Sequence, residues 1–210
     1  MSKIRLLALC AIMAVVAVSC SDNAGKPDKN NQVIQTILSR RSIRLFKDTI
    51  IDRETMDLIL KCGISAPSGT NAQPWEVRVV DNQDLLNEMS EKMLAEFDDS
   101  RATQVKSLPG YRNMFRNATT VVFIANNNNI GRLDCGLLGE NMILAAQSLG
   151  IGSCCLGGPI HFFRTEAGQP YLERLNFSPD YALLYAIGFG YPDETPEPKP
   201  RDESKIRYIE

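Results

Sequence analysis

A single histidine, His161, is the first limit on what this 210-residue chain can do. A Ser-His-Asp or Cys-His hydrolase would have to be built around that one residue, and no G-x-S-x-G turn accompanies it. Cys62, Cys135, Cys154 and Cys155 lack the Cys-x-x-Cys or Cys/His spacing of a zinc site. They read as buried small hydrophobes, and no metal is expected. Lysine and arginine form no stripe that could track a phosphate backbone. Setting aside Lys3 and Arg5 leaves 23 − 2 = 21 basic against 25 acidic side chains, a net charge of −4 that makes nucleic acid a poor partner. There is no internal repeat, and no G-x-G-x-x-G order of a dinucleotide fold.

Long apolar runs are also missing. The longest, Leu6 to Val18, holds 13 residues, follows Lys3 and Arg5, and stops at Ser19-Cys20. A transmembrane anchor is the competing reading, but the run is short for a span and ends at a small residue before a cysteine, which favours cleavage. The pattern resembles a bacterial lipoprotein signal. That resemblance implies a signal peptide over residues 1–19, acyl chains on Cys20, and an exported chain lipid-anchored to a bacterial cell membrane on its periplasmic or outer-membrane face. Residues 20–30 are polar, as a disordered spacer is. Residues 31–210 are expected to form one domain.

Within it, helical spacing predicts a helix over 31–39 carrying Val33, Ile34, Ile37 and Leu38. A second follows an Asp52 cap, with Met56, Ile59, Leu60 and Gly63 on one face, until Pro67. Pro74-Trp75 opens a strand to Val80, and Asp81 is the expected cap of a third helix bearing Leu86, Met89, Met93 and Phe97. Thr119 to Ala125 reads as a buried strand turned by Asn126 to Asn129. Residues 132–149 make the strongest helix, with Leu138, Met142, Ala145 and Leu149 on one face. It is apolar around most of its girth, and Gly136 and Gly139 would admit a close neighbour, in the core or across a subunit interface. A helix over Arg164–Leu175, a strand over Tyr181–Phe189 and a closing strand over Ile206–Ile209 complete an α+β pattern.

Four segments carry candidate chemistry. Arg40-Arg41-Ser42-Ile43-Arg44 gathers three guanidinium groups, which either form a solvated turn or grip an anion. Ser65 to Trp75 is a loop of small and amide residues suited to a polar planar ligand, or a plain turn with Trp75 as core anchor. Gly150 to Pro159 is glycine-rich, so the chain can pass close to something flat. Lys199-Pro200-Arg201 puts two more cations on a stiff arm.

In order and spacing these four resemble the nitroreductase family over about Asn31 to Arg201. The resemblance implies an α+β fold with a mixed, mainly antiparallel sheet flanked by helices, and a homodimer binding FMN at its subunit interface. By the same resemblance Arg40, Arg41, Ser42 and Arg44 hold the flavin phosphate and ribityl chain, joined by Lys199 and Arg201. Pro67, Ser68, Gly69 and Asn71 approach the flavin from the partner subunit, and Leu156, Gly157 and Gly158 lie along the ring. No catalytic side chain is singled out, because hydride transfer to a flavin needs no side-chain base. The implied activity carries electrons from NADH, NADPH or another donor to a small aromatic acceptor such as a nitroaromatic or quinone. Longer members carry a helical excursion over the flavin where this chain has only Asn126 to Gly131, so the pocket is expected to be open. Three other readings stand beside this one: a reductive dehalogenase of the same family, a flavin-binding lipoprotein with little turnover, and a structural surface lipoprotein with an empty site.

Overall fold

In a computed structural model the described residues are 28–127 and 131–210. The signal peptide over 1–19, the lipidation site Cys20, most of the spacer, and Asn128, Asn129 and Ile130 lie outside them. Among the described residues no helix is long and apolar enough to cross a membrane.

The centre is a four-stranded antiparallel sheet of β1 (Trp75–Val80), β2 (Thr120–Asn127), β3 (Gly152–Leu156) and β4 (Tyr181–Gly190), in the order β1-β2-β4-β3. β2 and β4 occupy the middle, which is why both read as near-continuous apolar runs. Side chains alternate between the two faces of β2. Val121 and Phe123 enter one core with Leu86, Met89 and Met93 of α3 (Gln83–Ala95) and Leu175 of α6 (Gln169–Leu175). Val122 and Ile124 enter the other with Met56 and Ile59 of α2 (Arg53–Ile64) and Leu138 and Met142 of α5 (Arg132–Ser148). The sheet is thus sandwiched between two helical layers. Phe115, Phe123 and Phe163 meet edge to face at 5.8 and 5.4 Å on the α3 side.

Caps explain several boundaries. Asn31 accepts from the Ile34 N–H at 3.1 Å and starts α1 (Gln32–Ser39). Asp52 accepts from the Thr55 N–H at 2.8 Å; that bond, first among its causes, lowers the carboxyl pKa. Asn82, not Asp81, caps α3, accepting from Leu85 N–H at 3.0 Å, while Asp81 pairs with Arg53 at 3.3 Å. α4 (Asp99–Lys106) is a helix without a buried residue, capped by Asp98. The expected helix over 164–175 starts late, at Gln169 of α6, and Arg164 ends a 3-10 turn over Gly158–Arg164 instead. Gly168 stands at the break, where a Cβ would lie 2.0 Å from the Phe162 carbonyl oxygen.

Three further expectations fail. Residues 206–209 form no strand and are exposed. Leu149 is exposed, and the buried face of α5 runs through Cys135, Leu138, Gly139, Met142, Ile143 and Ala146. Cys155 is exposed and Cys62 half-buried, so only Cys135 and Cys154 are buried small hydrophobes. An apolar surface is left uncovered: Leu133 (77% exposed) and Leu137 on α5, Val33 and Leu38 on α1, and Ile206, Tyr208 and Ile209 at the end of the chain.

Candidate functional site

The arginine-rich segment becomes part of the sheet edge. α1 ends at Arg40, and Ser42 then pairs with Ser153 of β3 in a parallel bridge, with Ile43 N–H donating to the Ser153 carbonyl at 2.9 Å. Burial of Ile43 fixes the segment and leaves Arg44 exposed and Arg40 half-buried. Arg41 folds back, donating to the Leu38 and Arg40 carbonyls at 2.9 and 2.8 Å, so it caps α1. Arg40 and Arg44 make no ion pair among the described residues. Glu194 accepts from the backbone N–H groups of Arg44 and Leu45 and so anchors the start of the C-terminal arm here.

Cys154 reports the charge around it. Burial pushes its thiol pKa up, while Arg44, Arg116 and Arg40 oppose that shift and Glu194 adds to it. Arg116 is the group that reading the sequence missed: it is an isolated basic residue in no motif, and only the fold brings it to Arg44.

β3 continues from this cationic end to Leu156, which is buried, and to Gly157 and Gly158, which are exposed. A Cβ at either glycine would meet nothing within 4 Å. Arg44 donates to the Ser42 carbonyl at 3.3 Å, and one sheet edge therefore offers guanidinium groups without a carboxylate partner at one end and an open bed of bare backbone at the other. Such an edge can hold an anion and lay a flat group beside it.

The amide-rich loop lies elsewhere. Ser68 Oγ accepts from Gln73 N–H at 3.0 Å, closing a turn in which Thr70, Asn71 and Gln73 all have left-handed φ (52°, 58° and 46°). Gly69 N–H reaches Asp134 of α5 at 3.4 Å, and Gly69, Thr70 and Asn71 are exposed. The loop leads into β1, at the opposite edge of the sheet from β3. Three strand spacings of about 4.8 Å put about 14 Å between those edges. One protomer thus does not bring Pro67–Asn71 to Arg40 or Gly157. Nor do Lys199 and Arg201 join: both are exposed and make no hydrogen bond or ion pair among the described residues. Among the described residues the arm that carries them is held at its start, by the Phe46–Pro192 bridge, by Asp193 N–H to Leu45 O at 2.9 Å and by the Glu194 carboxylate.

Two other features carry less. A polar cleft of about 520 Å³ lies between α3 and the loop before β2. Two of its polar groups are already engaged: Arg112 with Asp48 and the Phe46 carbonyl, Gln83 with the Asp81 and Thr119 carbonyls. His161 is exposed on the 3-10 turn.

A mainly antiparallel sheet between two helical layers, with a cationic edge strand running into glycines, defines an α+β protein with a site for an anionic planar ligand. Residues 37–191 match the profile of the Nitroreductase family, and the chain belongs to that family. An NADPH-flavin oxidoreductase of Vibrio harveyi is 30% identical over 81% of this chain and 70% of its own length. An iodotyrosine deiodinase of Thermotoga neapolitana is 29% identical over 80% of this chain and 93% of its own. The crystal structure of a nitroreductase with bound FMN from Desulfitobacterium hafniense superimposes with a TM-score of 0.76 at 30% identity, covering 86% of this chain and 99% of that one.

Proposed function

We propose that this chain is an FMN-dependent oxidoreductase that takes electrons from a reduced nicotinamide or another donor and delivers them to a small aromatic acceptor. The observation that carries the proposal is the parallel bridge of Ser42 to Ser153, which sets Arg40 and Arg44 beside the strand that ends at Gly157 and Gly158. On this reading Arg40 and Arg44 are the phosphate partners, and the open glycines admit the ring and a stacked substrate. Bound FMN supplies a ring that accepts hydride and passes electrons on. The backbone at Leu156–Gly158 would bound the ring's edge, and the lack of side chains at Gly157 and Gly158 would leave a face for donor and then acceptor. Arg41 serves this site by finishing α1 rather than by touching the ligand.

The site is proposed to be completed by a second copy. Pro67, Ser68, Gly69 and Asn71 reach it from the partner, and the exposed apolar surface of α1, α5 and residues 206–209 is what the dimer would bury. Lys199 and Arg201 are proposed to close on the phosphate when it binds. At the N-terminus we read a signal peptide and lipidation of Cys20; the Cys20→Ala chain would leave the membrane fraction, and retention there would contradict the anchor.

A second reading, reductive dehalogenation of a halogenated aromatic amino acid, is favoured by the likeness to the deiodinase. Anaerobic titration of the purified protein with NADH or NADPH, followed by a nitroaromatic, a quinone and a halogenated tyrosine, tests both. A yellow protein that bleaches and is reoxidised by the first two supports the oxidoreductase, and reoxidation only by the halogenated tyrosine supports the second. A colourless protein that binds no added FMN refutes both.

A further inference from the structure

We infer that Arg116 is a further phosphate-binding residue of the flavin site, held there by an interlocked pair of asparagines. The inference rests on the proposed flavin phosphate site at Arg40 and Arg44.

The turn before β2 is held by two of its own side chains. Asn113 Oδ1 accepts from the N–H groups of Phe115 and Asn117 at 3.0 Å each, and its Nδ2 donates to the Ala118 carbonyl at 3.2 Å. Asn117 Oδ1 accepts from Arg112 N–H at 2.7 Å and Asn113 N–H at 3.3 Å. Both asparagines are buried, so these bonds are shielded from competing water. Between them Arg116 and Asn117 take left-handed φ of 58° and 65°. An arginine rarely adopts that conformation, and an ordinary surface turn would place glycine or asparagine there.

The same turn is tied to the arginine-rich segment. Asn117 Nδ2 donates to the Arg44 carbonyl at 3.0 Å, and Arg112 donates to the Phe46 carbonyl two residues on. The turn also sits on the sheet at the level of the proposed phosphate. Ala118 and the Phe115 carbonyl cover Gly188, where a Cβ would come within 2.7 Å of Ala118 Cβ, and Gly188 is the register partner of Cys154. Arg116 makes no hydrogen bond or ion pair among the described residues. The nearby carboxylate, Glu194, is engaged by backbone N–H groups of Arg44 and Leu45. Before Lys199 and Arg201 close, the three guanidinium groups around Cys154 face one carboxylate and leave two positive charges uncompensated, and a flavin phosphate carries about −1.5 to −2.

Two variants separate this from a solvated arginine or a structural turn. Arg116→Gly removes the guanidinium while keeping a residue that suits the left-handed φ, and Arg116→Lys keeps a cation. Affinities of the purified apoprotein for FMN and for riboflavin, which lacks the phosphate, are read from flavin fluorescence, alongside Arg44→Ala. Arg116→Gly is expected to weaken FMN by about tenfold or more, the size of a lost charged hydrogen bond, and to leave riboflavin unchanged. Arg116→Lys is expected to recover part of the loss. Unchanged FMN affinity in Arg116→Gly, or equal losses of FMN and riboflavin, would overturn the assignment. If Arg44→Ala also fails to distinguish the two flavins, it is the phosphate reading of this edge that is wrong.

Discussion

Gly139 offers a sharp test of how α5 is seated on the sheet. A Cβ built there would lie 2.1 Å from the Tyr185 hydroxyl oxygen and 3.1 Å from Cζ. The phenol cannot swing aside freely, because its hydroxyl donates to the Cys135 carbonyl at 2.6 Å, one turn back on the same helix. Gly139→Ala gains about 1 kcal/mol of helix propensity. Against that, overpacking costs about 1–3 kcal/mol and a half-buried hydroxyl pushed off its acceptor about 1–3 kcal/mol. The net is a loss of about 3 kcal/mol, or about 6–12 °C in melting temperature for a domain of this size. Denaturant unfolding at fixed protein concentration measures it. Tyr185→Phe alone should cost about 1 kcal/mol, yet in the Gly139→Ala background it should stabilise, since it removes the atom the methyl strikes. A Gly139→Ala protein as stable as the parent, or a Tyr185→Phe cost that is the same in both backgrounds, would refute this account of the contact.

Arg78 donates to the carbonyls of Leu175 and Asn176 at 2.9 and 2.7 Å and pairs with Glu76 at 2.8 Å. Arg78→Ala should therefore cost about 2–3 kcal/mol and speed amide exchange first at the end of α6; uniform exchange changes would contradict it. Burial, helped by Asp134, raises the Cys135 thiol from its ordinary 9.0 to about 11. Because the folded pKa is the higher one, the native state is undisturbed below about pH 9 and loses stability as pH rises towards 11. In Cys135→Ala the fall of unfolding free energy over that window should be shallower by up to about 1.4 kcal/mol per pH unit, and identical slopes would show that the thiol does not titrate so.

The elements legible in the sequence are those whose own residues demand burial or capping. The central strands β2 and β4 show as apolar runs, and α2 shows through Asp52 and its buried Met56 and Ile59. β3 was hidden because it is a five-residue edge strand inside a glycine-rich stretch, and it exists by pairing with β4. α4 was hidden because it has no apolar stripe to read. The reverse error, a strand over 206–209, arose because its apolar residues have no partner within one protomer. At the candidate site the arginine-rich segment and the glycines were legible as motifs. Their adjacency was not, since it depends on a single parallel bridge, and Arg116 was invisible because its place is set by Asn113 and Asn117 side chains rather than by a pattern of charge.

The separation of the two halves of the proposed site decides how many chains it needs. The cationic segment lies along β3 and the loop of Ser68 and Asn71 precedes β1, at opposite edges of a four-stranded sheet. About 14 Å separates those edges, and Gly69 N–H reaches Asp134 of α5 at 3.4 Å, so one protomer does not bring the two halves together. In the proposed two-fold dimer they would meet twice, each site taking its cations from one chain and its loop from the other. Complementation follows. A protomer with Arg44→Ala and a protomer with Ser68→Ala and Asn71→Ala are each expected to lose most flavin on their own. Subunits mixed in equal amounts and re-paired at random give heterodimers as half the population, each with one intact site of two, so about a quarter of all sites should recover FMN. A site made within one chain would recover none, because every protomer in the mixture would still carry its own lesion.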